Sequence, residues 1–188
     1  MKKISTLFKK NPENLGRVIN EIDPQNEWAI GQSIATQKFD GTAMAIIGGE
    51  LYKRYDVKKG RSAPEGAIPC QEPDAISGHH PHWVTCSREA KEDRYAFEAF
   101  DQLAANNAAT DSTYELCGPK VQSNPEQFEA HVLVKHGDAQ LDIDTQTMTF
   151  DSLKQYLEEH NLEGIVFHAT DGSGRMCKLR KADFGIKR

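Results

Sequence analysis

Five short segments of this 188-residue chain set charged side chains into or beside stretches that read as strands. They are Lys38-Phe39-Asp40-Gly41, Lys53-Arg54-Tyr55-Asp56, Tyr114-Glu115-Leu116-Cys117-Gly118-Pro119-Lys120, Glu163-Gly164-Ile165-Val166-Phe167 and Cys177-Lys178-Leu179-Arg180-Lys181. Charge carried toward a core is costly unless it is paired or used. Five such placements in one chain point to a shared site. Lysine brings an amine, arginine a fork of donors suited to phosphate, and carboxylates accept hydrogen bonds or hold hard cations. Each segment taken singly has a plainer reading. Lys38 is then a strand-end lysine, Asp40-Gly41 an ordinary turn, Lys53 a solvated edge charge and Glu163 a loop carboxylate.

Composition bounds what such a site could serve. Net charge is −5, so the surface as a whole does not attract nucleic acid. Charge is uneven, however: Lys53–Arg61 and Lys178–Arg188 are basic, while Asp138–Asp151 is acidic. An acidic protein can still hold polyphosphate in one basic cleft. The length suits a single domain over residues 1–188. No apolar run reaches membrane-spanning length and the N-terminus lacks a signal-peptide core, so the expected location is the cytoplasm. Cys70, Cys86, Cys117 and Cys177 form no C-x-x-C pair and read as free, mostly buried thiols. His79, His80 and His82 lie near Cys86, but no second ligand pair follows at zinc-finger spacing.

The elements that must position these residues follow from periodicity. A helix is expected over Asn11–Ile22, with Asn11 as cap and Pro12 at its first position. Thr42–Ile47 and Glu50–Val57 read as a hairpin turned by Gly48-Gly49. Gly60–Gly78 reads as a long loop, and Trp83 lies in the loop that continues from it. Arg88–Ala105 is the strongest helical pattern. Strands are expected at Thr113–Gly118, Ala130–Lys135, Ile143–Phe150, Gly164–Ala169 and Met176–Arg180. A second helix is expected over Asp151–Asn161, capped by Asp151. The fold class is α+β, with strands dominating and two main helices packed on them.

The five segments, in this order, resemble the covalent nucleotidyltransferase superfamily of ATP-dependent DNA and RNA ligases and mRNA capping enzymes. The similarity runs from Thr36 to Lys187. Thr113–Pro125 (TYELCGPKVQSNP), Gly78–Trp83 (GHHPHW) and the ending K-A-D-F-G are similar to the RNA ligase group that includes small phage enzymes and the vertebrate 5′-to-3′ RNA ligase. The resemblance implies an adenylation domain of the nucleotidyltransferase, ATP-grasp-like kind: mainly antiparallel sheets, flanking helices and a central nucleotide cleft. It implies ATP and Mg²⁺ as cofactors, and RNA 5′-phosphate and 3′-hydroxyl ends as partners.

Roles follow from the same resemblance. Lys38 would attack the α-phosphate of ATP and keep AMP through a phosphoamide bond. An amine attacks only when neutral, a form that cationic neighbours and partial desolvation favour. Arg54 and Lys178 are the cations the resemblance sets near it. Thr36, Gln37, Asp40 and Gly41 belong to the ATP-binding stretch around the lysine. Arg54 would contact ribose or 5′-phosphate, and Glu115 would accept from the ribose hydroxyls. Glu163, with Asp40, would hold Mg²⁺. Lys178 and Arg180, or Lys181 after a local shift, would clamp the α-phosphate. Trp83 and Phe128 are candidates to stack on adenine, with Phe39 and Phe167 behind them.

Many relatives carry a further RNA-gripping domain, and no C-terminal domain is expected here. RNA would then be held by the core's own surface, where Lys58, Lys59 and Arg61 are candidates, or by a partner protein. Competing readings are a DNA nick ligase, another adenylyltransferase of the same chemistry, and a non-catalytic module that binds nucleotide or RNA.

Overall fold

A computed structural model describes residues 4–74 and 78–187. Residues 75–77, within the loop expected over Gly60–Gly78, lie outside the described residues. In chain order the strands are β1 (Ser5–Thr6), β2 (Phe8–Asn11), β3 (Asn14–Ile22), β4 (Ser33–Lys38), β5 (Thr42–Ile47), β6 (Glu50–Val57), β7 (Ile68–Pro69), β8 (His80–Thr85), β9 (Ser112–Cys117), β10 (Val132–Lys135), β11 (Gly164–Ala169) and β12 (Met176–Arg180). The α-helices are α1 (Arg94–Ala105), α2 (Phe150–Glu159) and α3 (Lys181–Phe184). The fold is mixed α+β, and every pairing except β1 with β12 is antiparallel. No described helix is long and apolar enough to cross a membrane. The chain divides into two compact units: Asp40–His136, and Ile4–Phe39 together with the chain from Gly137 onward.

The Asp40–His136 unit is a six-stranded sheet in the order β10-β9-β5-β6-β8-β7, with α1 on one face. Its β5–β6 hairpin turns at Gly48-Gly49, both at positive φ, and the Asp111 carboxylate accepts both turn N–H groups at 2.7 and 3.1 Å. Strand alternation sends Met44, Ile46, Leu51, Tyr114, Leu116 and Leu133 toward Ala96 and Ala99 of α1. Expected over Arg88–Ala105, the helix starts only at Arg94. Upstream, the buried Asp93 carboxylate accepts the Ser87 N–H at 2.9 Å and Lys53 Nζ at 2.6 Å, and Lys91–Asp93 form a short 3₁₀ helix ahead of α1. Lys53 is therefore a paired, half-buried cation on the α1 side of the sheet, not a solvated edge charge. Trp83 is on strand β8, not in a loop, and is 6% exposed.

The second unit is a four-stranded sheet in the order β1-β12-β11-β4, joined by the β2–β3 hairpin. Ala35, Ile165, Phe167, Cys177 and Leu179 face its core, where they meet Leu153, Leu157, Trp28 and Leu7. No helix forms over Asn11–Ile22. The Asn11 and Asn14 side chains accept the N–H groups of Glu13 and Gly16, closing a tight turn that sends β3 back along β2. Nor is Ile143–Phe150 a strand. Asp144 accepts from the Gln146 N–H and the Thr147 hydroxyl and curls the segment. Helix α2 is capped by Thr149 rather than Asp151: Thr149 Oγ1 accepts the Ser152 N–H, and Ser152 Oγ accepts the Thr149 N–H.

Strand β11 is central and pairs with β4 on one side and β12 on the other. A Cβ at Gly164 would stand 2.3 Å from the Leu179 carbonyl oxygen and 2.9 Å from the Arg180 Cα. Both obstacles are backbone and cannot rotate away. Gly164→Ala is expected to lower stability by about 2 kcal/mol or more, the scale of overpacking, as read by denaturant unfolding. Unchanged stability would show that β12 can move away from β11.

Candidate functional site

In the unit that holds Lys38, register alone aligns the charged groups. Gly164 of β11 is opposite Lys38 of β4 on one side and Arg180 of β12 on the other. Two residues on, Val166 is opposite Thr36 and Lys178. Side chains two apart on a strand share a face, so Lys38, Thr36, Lys178 and Arg180 occupy one face and the apolar core the other. Gln37 alternates to the core side with Ile165, so its side chain is not on the Lys38 face. Its N–H is taken by the Ala139 carbonyl at 2.8 Å.

The cations on this face are held differently. Lys38 Nζ donates to Glu163 Oε2 in an ion pair whose members are largely shielded from solvent. Arg180 is held by Asp183, which is fully buried. Asp183 accepts from Arg180 Nη2 at 2.9 Å and Nε at 3.2 Å, and from Lys10 Nζ at 2.7 Å. Burial opposes ionisation of Asp183, but these hydrogen bonds outweigh it and keep its carboxyl below the ordinary range. Lys178 has no ion-pair partner among the described residues. Burial, reinforced by the charges of Arg180 and Lys38, brings its amine down to about 8. Lys181 begins α3, is buried, and lies off this row; register puts Arg180 rather than Lys181 beside Lys178. Thr36 is 2% exposed, and its hydroxyl meets His168 Nε2 at 3.0 Å.

The other unit carries the remaining expected residues. Gly41 lies so close to β9 that an added Cβ would stand 2.2 Å from the Leu116 carbonyl oxygen and 2.8 Å from Glu115 Cγ. The Gly41 N–H donates to Glu115 Oε1 at 3.1 Å, and the Asp40 N–H donates to Glu126 Oε1 at 3.1 Å. Gln122 Nε2 donates to the Gly41 carbonyl at 3.3 Å. Glu115 Oε2 in turn meets His136 Nε2 at 3.0 Å. Pairing sets Ala43 opposite Glu115 and Arg54 opposite Trp83, so these four share the sheet face away from α1. Arg54 forms no ion pair among the described residues. Phe128 is partly exposed, at the end of a loop tied by two Asn124 hydrogen bonds. Phe167 is fully buried on the core side of β11, off the Lys38 face, and serves as packing.

His136, Asp183, His168, Gln122 and Glu126 were not among the residues singled out from sequence. Asp183 had a local signal, since it stands three residues after Arg180 at the start of a helix, the spacing of a capping box. The others depend on strand pairing and loop closure. For a metal, no group of three or more His, Cys, Asp or Glu is set to hold an ion among the described residues. Mg²⁺ commonly takes only one or two carboxylates, completing its shell with water and phosphate oxygens. Glu163, a shielded carboxylate beside the Lys38 amine, fits that mode. Asp40 belongs to the other unit. Buried Cys86 and Cys177 are both pushed up to about 12 by burial, so neither supplies a thiolate near neutral pH.

No protein-family model matches the chain, and no curated protein matches it.

A depressed lysine costs stability wherever it is charged in the folded state. Between about 8 and the ordinary lysine range the unfolded chain binds more protons, so the wild type gains stability as pH rises through that window. Lys178→Met is therefore expected to raise the melting temperature at pH 7, with the gap to wild type narrowing as pH rises from about 8 toward 10.5. A variant less stable than wild type at pH 7 would mean that Lys178 is compensated by its surroundings.

Proposed function

We propose that this chain is an ATP-dependent RNA ligase built on the nucleotidyltransferase adenylation fold. The observation that carries the reading is the Lys38 amine in contact with Glu163, on the same sheet face as Lys178 and Arg180. Cations from the two strands that flank β11, with a carboxylate against Lys38, suit a nucleophile acting at a phosphate. The resemblance of the five segments to nucleotidyltransferases supports the same conclusion independently of geometry.

In the first step Lys38 Nζ attacks the α-phosphorus of ATP. An N–P bond forms, the bond from that phosphorus to the bridging oxygen breaks, and pyrophosphate leaves with the electron pair. The ammonium proton must depart before attack, and Glu163 Oε2 is the acceptor already in contact with it. Lys178 and Arg180 neutralise charge on the α-phosphate oxygens as it builds. Asp183 orients the Arg180 fork, and Glu115 is the ribose contact that the resemblance implies. Mg²⁺, when bound through Glu163, supplies further charge neutralisation at phosphate oxygens. In the second step an RNA 5′-phosphate oxygen attacks the same phosphorus and the N–P bond breaks. In the third, an RNA 3′-hydroxyl attacks the activated 5′-phosphate, and AMP departs as the phosphodiester forms.

Intact-mass measurement after incubation with ATP and Mg²⁺ tests the first step. Wild type is expected to gain the mass of one AMP, and Lys38→Ala none. Addition of a nicked RNA duplex with a 5′-phosphate is expected to discharge the adduct and yield sealed strand. An adduct that survives in Lys38→Ala refutes the choice of nucleophile. An adduct discharged by nicked DNA but not by RNA refutes the choice of substrate.

A further inference from the structure

Both oxygens of Glu115 are already engaged. Oε1 accepts the Gly41 N–H at 3.1 Å, and Oε2 lies 3.0 Å from His136 Nε2. An ionised carboxylate can only accept, so His136 Nε2 must carry the hydrogen. The other ring nitrogen, Nδ1, is 3.0 Å from Thr113 Oγ1, and in the neutral ring it accepts from that hydroxyl. With both nitrogens engaged, the tautomer and the ring orientation are determined together. The backbone adds a third restraint, because the His136 N–H donates to the Thr113 carbonyl at 3.1 Å. Thr113 and Glu115 are two residues apart on β9 and share a face. The network Thr113–His136–Glu115–Gly41 thus holds the carboxylate in one orientation.

A carboxylate offers about four acceptor positions, two on each oxygen. The Gly41 N–H and the imidazole use one on each, which leaves one on each. Two acceptors at the spacing of a carboxylate match the two donors of a vicinal diol. A carboxylate free to rotate would lose that freedom on accepting both hydroxyls, a cost that prior fixing removes. We propose that His136 is a positioning residue that makes Glu115 a two-point acceptor for the ribose diol, so that the site selects ribonucleotides over their deoxy counterparts. The inference rests on the reading of Glu115 as the ribose contact, and it adds sugar selection and the residue that sets it.

The test is equilibrium binding by calorimetry, using the full chain with α,β-methylene-ATP and its 2′-deoxy analogue, neither of which can transfer AMP. Wild type is expected to prefer the ribose form by about tenfold, the worth of one hydrogen bond to a charged group. His136→Ala is expected to bring that preference close to unity by weakening the ribose form alone. His136→Gln, which keeps an N–H donor, is expected to recover part of it. If His136→Ala does not fold, Thr113→Val removes only the hydroxyl that sets the ring and is expected to cut the preference severalfold. Equal affinities in wild type, or a preference untouched by either substitution in folded protein, overturn the proposal. The outcome separates from the ligase reading. Ribose selection that depends on His136, in a chain that forms no AMP adduct, sustains this inference and refutes the ligase. An adduct formed without ribose selection does the reverse.

Discussion

At Gly164 the central strand of one sheet carries no side chain, and its neighbours close in over the gap. The Leu179 carbonyl and the Arg180 backbone fill the volume any Cβ would need. In register, Gly164 lies opposite Arg180 of β12 on one edge and Lys38 of β4 on the other. Once the registers are set, alternation does the rest. Lys38, Thr36, Lys178 and Arg180 fall on one face, while Ile165, Phe167, Cys177 and Leu179 fall on the other. A slip of one residue would send the charged set into the core, at a cost far above what any single contact returns. The apolar face therefore enforces the geometry of the polar one.

Concentrating cations on one face opposes folding, and the structure offsets this unevenly. Glu163 answers Lys38, and buried Asp183 answers Arg180 with help from Lys10. For Lys178, burial and the like charges of Arg180 and Lys38 outweigh the opposing carboxylates of Asp183 and Glu163, and its amine is brought down to about 8. A half-buried lysine with no ion-pair partner among the described residues is a costly placement, which a bound phosphate would offset under the proposed reading. The Asp40–His136 unit repeats the same device with opposite charge. Gly41 has no Cβ, so the turn can lie on β9 and direct its N–H at Glu115, while His136 holds the second oxygen.

Several features were legible residue by residue because short-range physics decides them. The Gly48-Gly49 hairpin, strands β11 and β12 and the core of α2 follow from turn chemistry and side-chain period, and the structure agrees with the expected bounds of all four strands concerned. The failures came where local signals compete. Asn11-Pro12 reads as a helix start, yet the Asn11 and Asn14 side chains close a turn instead, and the following residues pair with β2. Thr149 and Asp151 are both good caps, and only the reciprocal bond with Ser152 decides for the former. Trp83 follows a run of turn formers and reads as loop, but pairing with β6 captures it.

By itself the sequence determined which residue types were on offer and, for β5, β6, β11 and β12, which would lie in strands, because propensity and alternation act over a few residues. Lys38, Glu163, Lys178 and Arg180 were legible in that sense, as charges beside apolar runs. Tertiary structure alone decided which of them meet, since pairing joins segments more than a hundred residues apart. Contact between Lys38 and Glu163 arises only when β4 docks on β11. His136 carries no sequence signal of its role, because its partners Thr113 and Glu115 are brought to it by the β9–β10 pairing. A side chain's type is a local property, but its neighbours are set by strand register, which the whole core must agree upon.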